Sequence, residues 1–241
     1  EDAVVLDRPD AAGGRRVKIV VPMLSRIANF DDFDPLRAEP QVDLAFTPPG
    51  QALPGDADLA ILPGTKATLA DLAFLRAQGW DIDLAAHVRR GGRVLGICGG
   101  FQMLGRRVAD PEGIEGTPGE APGLGLLDLE TTLTGDKVLR PARGRLAAGG
   151  AAFQGYEIHV GRSFGPALDR PLLVREDGAG EGAVSADGRI AGAYVHGLFD
   201  QGAARAALLA DLGAVSDGLD QTARVDAALD EIAEALGRAF D

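Results

Sequence analysis

Apolar residues in the first hundred positions fall into short unbroken runs; later runs are thinner and more often interrupted. Residues 17–21, 42–46 and 58–62 are rich in Val, Ile and Leu, and Pro22 and Pro63 stop the first and third. Runs of this length and composition predict strands buried on both faces. After the third, Leu69, Leu72 and Leu75 recur at helical spacing between Thr68, a capping residue, and Gly79, a C-cap. A second helix is predicted over 81–90, closed by Gly91 and Gly92, and residues 93–97 form a fourth strand. Strand and helix alternating in this way predicts an α/β fold: a mostly parallel sheet with helices on both faces.

The second half changes character. Residues 110–125 are rich in Gly, Pro and Glu, and β-like runs follow at 125–134, 138–146, 152–160, 172–174, 182–186 and 189–195. Turns such as Gly135-Asp136 and Asp187-Gly188 separate some of them and imply additional antiparallel strands. Helices are predicted near 202–212 and 222–240, the last with Val225, Leu229, Ile232, Leu236 and Phe240 on one stripe. Residues 1–16 read as a linker or arm, and 17–241 as one domain. The loop over 23–35 is unusual, because Ile27, Phe30 and Phe33 interleave with Arg26, Asp31, Asp32 and Asp34. That is too apolar for a solvent loop. Its phenylalanines either plug the domain's own core or face a second domain.

Composition narrows the setting. With 24 basic and 36 acidic residues the net charge is -12, which argues against nucleic acid and anionic membrane as partners. A single cysteine excludes a disulfide framework and fits a reducing cytoplasm. Three histidines and one cysteine, widely scattered, make no metal-binding signature. No apolar run is long enough to span a bilayer.

The chemistry is concentrated where the fourth strand ends. In Gly96-Ile97-Cys98-Gly99-Gly100-Phe101-Gln102-Met103-Leu104-Gly105 an apolar run stops at the cysteine, two glycines follow, and a helix begins. Strand, tight turn and helix place Cys98 at an elbow, with the helix N-terminus behind it. The dipole of that helix favours a thiolate, and its free N–H groups can stabilise an oxyanion. Pro63-Gly64 ends the neighbouring strand at the same carboxyl edge, where reactive groups of such sheets gather. A thiol with backbone donors and an imidazole base makes an acyl-transfer site. Spacing leaves His196, His159 and His87 all eligible as the base, with His196 favoured because it too stands at a strand end beside a glycine.

These residues carry a resemblance. Together with 26–36, Leu62-Pro63-Gly64-Thr65-Lys66, Gly155-Tyr156-Glu157-Ile158-His159-Val160-Gly161 and Tyr194-Val195-His196-Gly197-Leu198-Phe199-Asp200, the elbow resembles the glutaminase domain of the cobyric acid synthase branch of class I glutamine amidotransferases. The resemblance implies that Cys98 attacks the side-chain amide of glutamine and that His196 is its base. It also implies that Gly64 and Gly99 supply the oxyanion hole and that Gln102 helps hold the substrate. Many class I glutaminases carry a glutamate two residues after the histidine; here that position is Leu198. The acid that orients the imidazole is therefore open, and Glu157 and Asp200 are the acids to consider, with His159 a further supporting residue.

The resemblance further implies a role in cobalamin biosynthesis. Ammonia from glutamine would feed an N-terminal ATP-dependent synthetase domain that amidates the carboxylates of a corrin substrate. ATP and Mg are expected in that domain and no cofactor in this one, since no Gly-x-x-x-x-Gly-Lys-Ser/Thr loop occurs in these residues. Two other readings compete: a stand-alone glutaminase subunit that serves amidation of a cell-wall lipid precursor, and a catalytically silent glutaminase fold acting only in docking.

Overall fold

In the computed structural model, which describes residues 16–240, the predicted strands β1 (Val17–Pro22), β2 (Val42–Thr47), β3 (Leu59–Leu62) and β4 (Arg93–Ile97) all form. The predicted arm lies outside the described residues except for Arg16. These strands belong to a six-stranded sheet, which runs in the order Ala183–Val184, Ile190–Ala193, β4, β3, β1, β2. Every neighbouring pair is parallel except the first.

Alternate residues of each strand feed cores on opposite faces. Val20, Leu62 and Val94 pack with Leu72, Leu75, Trp80 and Phe101; Ile19, Val21, Ile61, Leu95 and Ile97 pack with Phe33, Leu36, Phe199 and Leu209. The helices that cover these faces are α1 (Asp34–Arg37), α2 (Thr68–Ala77), α3 (Trp80–Arg89), α4 (Gly99–Leu104) and α5 (Gly202–Ala210). A final helix, α6 (Gln221–Phe240), follows. Two-sided burial explains the unbroken apolar runs, because a strand with no solvent face has no need of alternation.

The antiparallel part forms two further sheets. One pairs Val138–Leu146 with Ala152–His159 in an eight-residue register, flanked by Leu173–Arg175 and, on the other edge, Val195–His196. The other is built on Arg107–Asp110 paired with Gly119–Pro122, and the second of these lies inside the Gly/Pro/Glu-rich stretch that the apolar pattern reads as a loop. Its second strand lies at the sheet edge and ends in a proline, so apolar alternation is weak there. The run over 125–134 shrinks to Glu130–Thr132, while Leu127 and Leu129 are buried without strand pairing. The run over 189–195 breaks at Tyr194, where the chain leaves the central sheet for the antiparallel one. That switch delivers His196 to the edge where β4 ends.

Candidate active site

The backbone at the end of β4 is strained. Cys98 has φ 51 and ψ -110, and with Asn29 it is one of two non-glycine residues at positive φ among the described residues. Its N–H donates to Ala193 O at 2.8 Å and its carbonyl accepts from Gln102 N at 3.1 Å, so both strand and helix hold it there. The elbow needs glycine behind it: a Cβ on Gly100 would lie 2.1 Å from Leu62 O. Strain of this kind costs about 1–3 kcal/mol and persists where the surrounding structure fixes it.

His196 is 1% exposed and faces the same cleft as Cys98. The imidazole Nδ1 is 2.7 Å from Asp32 Oδ2, and the other carboxylate oxygen accepts Gly197 N–H at 2.8 Å. An ionised carboxylate only accepts, so the Nδ1 proton points at Asp32 and Nε2 is left for the sulfur. Burial alone would push the His196 pKa down. Hydrogen bonding and charge from Asp32, then from Cys98, outweigh it and hold the pKa well above the ordinary value. Tyr156 stacks on the ring with centroids 5.5 Å apart, and the Tyr156 hydroxyl accepts from Asn29 Nδ2 at 2.5 Å. Gly64 closes the other side: a Cβ there would sit 2.8 Å from His196 Cε1.

Asp32 comes from the 3-10 turn Phe30–Phe33, inside the loop whose apolar content is unusual. That loop is stitched to the Pro63–Lys66 turn. Ala28 N donates to Gly64 O at 2.9 Å, Lys66 N donates to Arg26 O at 3.1 Å, and Asp71 accepts Ser25 N–H at 3.1 Å. Phe33 is fully buried in the core, whereas Phe30 is 49% exposed with its ring against Phe46. One phenylalanine anchors the loop, and the acid beside it reaches the histidine.

Neither acid weighed from the sequence pairs with His196. Glu157 pairs across the sheet with Val195, the residue before His196, and so points to the opposite side, where Arg140 Nη2 at 2.9 Å and Arg175 Nη1 at 3.4 Å hold its carboxylate. Asp200 stands in an acidic group with Asp31 and Asp32. Burial, then repulsion from those two, raises its pKa to about 6. His159 stacks on Tyr194 at 3.8 Å and lines the cleft, with Nε2 3.6 Å from Glu157 Oε2. His87 is engaged elsewhere, its Nε2 2.8 Å from Arg93 O.

Gln102 is 2% exposed and fixes the cleft wall: Nε2 donates to Val160 O at 2.9 Å and Oε1 accepts from Thr68 Oγ1 at 3.0 Å. The cleft measures about 490 Å³, and Thr65, Gly99 and Ile158 also line it. Lys66, the last residue of the Pro63–Lys66 motif, borders it, as do two charged residues not singled out from the sequence, Lys137 and Glu115. Glu115 accepts the Thr68 N–H at the first turn of α2 at 2.5 Å, and burial raises its pKa. It lies in the stretch that reads as a loop and carries no motif. Among the described residues no cluster of His, Cys, Asp and Glu could hold a metal ion.

Residues 18–204 match the CobB/CobQ-like glutamine amidotransferase domain. The chain belongs to that family. It is 69% identical over its full length to the cobyric acid synthase of Caulobacter sp. (strain K31) and 57% identical to that of Methylocella silvestris, covering half of each. The chain thus spans about half the length of these CobB/CobQ-like relatives. PurLQS from Thermotoga maritima shares the fold with a TM-score of 0.58 at 17% identity, covering 77% of this chain and 89% of that one. A solved glutamine amidotransferase is similar at the same TM-score and identity, covering 80% and 97%. An α/β fold with a parallel sheet and added antiparallel strands is therefore the fold of this CobB/CobQ-like glutamine amidotransferase.

Proposed function

We propose that this domain hydrolyses the side-chain amide of glutamine through a thioester on Cys98. The ammonia would then serve ATP-dependent amidation of corrin carboxylates in cobalamin biosynthesis, as the glutaminase part of a cobyric acid synthase. The observation that carries the proposal is the Cys98–His196–Asp32 arrangement on a strained elbow, in a chain 69% identical to half of a cobyric acid synthase. That likeness favours the corrin enzyme over a cell-wall glutaminase, and the assembled site favours chemistry over docking alone.

The geometry supports the following steps. His196 Nε2 holds the proton of the Cys98 thiol, and Sγ attacks the amide carbon as the thiolate. The oxygen charge that develops is met by the Gly99 and Gly64 N–H groups. The imidazolium gives its proton to the departing nitrogen, the C–N bond breaks, and ammonia leaves a glutamyl thioester. Nε2 then deprotonates water, which attacks the thioester carbon and releases glutamate and the thiol. Asp32 keeps the ring in the required tautomer and stabilises its charged form. ATP and Mg would act in the half of the relatives that this chain does not span.

The test uses the full-length synthase. Cys98→Ala is expected to abolish glutamine-dependent amidation and to leave ammonia-dependent amidation largely intact. Glutamine-dependent turnover near the wild-type rate would remove Cys98 from the mechanism.

A further inference from the structure

The fold fixes where α6 begins, and among the described residues nothing packs on its apolar face. Residues 225–238 are exposed throughout, and Val225, Leu229, Ile232 and Leu236 are 46%, 58%, 56% and 53% exposed. Their spacing puts them on one stripe, widened by Ala228, Ala233 and Ala235. Most of a helix's stability in a protein comes from burying such a face.

The root of α6 is pinned. Buried Arg205 donates to Glu39 at 2.5 Å, to Phe199 O at 2.7 Å and to Leu219 O. Gly202 N donates to Asp220 at 2.7 Å, and Gln221 N donates to Asp200 O at 2.8 Å. Phe199 and Asp200 follow His196 closely, and Glu39 follows the turn that carries Asp32. The arm is therefore rooted in the two segments that supply the His–Asp pair.

Two observations select what covers the stripe. Over 225–238 α6 carries Asp226, Asp230, Glu231 and Glu234 against the single Arg238, on a chain of net charge -12. Pairing with a second copy would set acids against acids. In addition, the chain spans half the length of the relatives it matches, so in them as much polypeptide again is tethered at high effective concentration. We propose that the apolar stripe of α6 docks on the upstream half of the same polypeptide, in an apolar groove rimmed by Arg and Lys. This rests on reading the chain as the glutaminase part of a larger synthase. The contact would hold the synthetase half at the His196–Asp32 side of the cleft.

The test places the photocrosslinker p-benzoylphenylalanine at position 229 of the full-length synthase, and at 232 in a second preparation. Peptides of α6 joined to peptides of the upstream half, within one polypeptide, are expected. Crosslinks confined to residues 16–220, crosslinks between two copies, or none at either position overturn the proposal. Leu229→Glu combined with Ile232→Glu is expected to lower glutamine-dependent amidation about tenfold, as for loss of a hot spot, with ammonia-dependent amidation unchanged. Unchanged glutamine-dependent activity, or equal loss of both activities, also overturns it. Cys98→Ala in the same assay separates the two ideas. If that variant keeps glutamine-dependent activity, the proposed chemistry fails; if Cys98 is required and no crosslink forms, only the α6 contact fails.

Discussion

Two histidines of the antiparallel sheet each meet a carboxylate, and they do different things with their acids. His196 and Asp32 are 2.7 Å apart, and the remaining carboxylate oxygen takes a backbone N–H. His159 and Glu157 are 3.6 Å apart, with Glu157 shared between Arg140 and Arg175. Burial would push the Glu157 pKa up, but hydrogen bonds from His159 and Arg140 and the charges of both arginines lower it to about 2. Asp32 pairs with no arginine among the described residues, and its hydrogen bond and charge raise the pKa of His196. Proximity to a histidine in the sheet register is therefore a poor guide to the orienting acid. Freedom from cations is the better one.

The largest effect should separate the two imidazoles. His196→Ala is expected to slow thioester formation by at least about a hundredfold, the scale of a positioned general base. His159→Ala should do much less to that step. Rapid-quench trapping of the glutamyl thioester measures both, and a reversal of the two effects would exchange their roles.

The acids come next. Asp32→Asn keeps an acceptor for Gly197 N–H but removes the charge, so it should slow thioester formation about tenfold or more. The loss should be smaller than in a serine enzyme, because a thiol depends less on its third partner. Glu157→Gln should leave the rate nearly unchanged and lower the melting temperature, since it strands Arg140 and Arg175. A slower Glu157→Gln than Asp32→Asn would break the comparison.

A third acid sharpens it. Glu181 is buried; Tyr194 N–H donates to Oε1 at 2.7 Å, and Oε2 has no partner among the described residues. With burial dominating over that one hydrogen bond, its pKa rises to about 8. Between the ordinary carboxylate range and 8 the folded chain holds a proton that the unfolded chain has released. Stability therefore falls as pH rises through that window. Glu157 has the opposite sign: its contribution is present above the ordinary range and is lost as pH falls toward 2. Glu181→Gln should remove the first slope and raise stability relative to wild type by about 2 kcal/mol at about pH 8.5, with little gain at about pH 5. Thermal melts at the two pH values check this, and an equal shift at both would contradict the assignment.

How much of this was legible in the sequence depends on whether the signal is local. The parallel sheet, its helices and the Cys98 elbow rest on contiguous residues, so periodicity and punctuation expose them. The Cys98–His196 meeting joins strand ends 98 positions apart in sequence and was approached through motif resemblance. Asp32 was hidden beside two other acids in one loop, 164 residues from its partner, and nothing local distinguishes it. The one usable sign was the buried Phe33 beside it, because an apolar anchor in a charged loop fixes its neighbours. The strand that carries Glu120, and the Glu115 that borders the cleft, lie in a stretch whose glycines and prolines read as a loop. Cross-strand pairing and cleft position there come from tertiary context alone.

The smallest expected effect concerns Phe30, the other aromatic of that loop. The loop's apolar content left two readings open, and the structure divides them between the two rings. Phe33 is fully buried, its ring edge-on to Phe46 at 5.5 Å, so Phe33→Ala should cost about 3–5 kcal/mol, as for other buried phenylalanines. Phe30 is 49% exposed and tilted against the same Phe46 at 5.4 Å. An exposed ring with one aromatic neighbour contributes about 1 kcal/mol or less. Phe30→Ala should therefore leave a urea titration of this chain almost unchanged. Its ring stands two residues from Asp32 on the outer surface of the loop, so a partner surface there would be felt at the catalytic acid. Phe30→Ala should then weaken coupling between glutamine hydrolysis and amidation in the full-length synthase, without slowing hydrolysis itself. A stability loss in the Phe33 range would assign Phe30 to the core and sink the docking role.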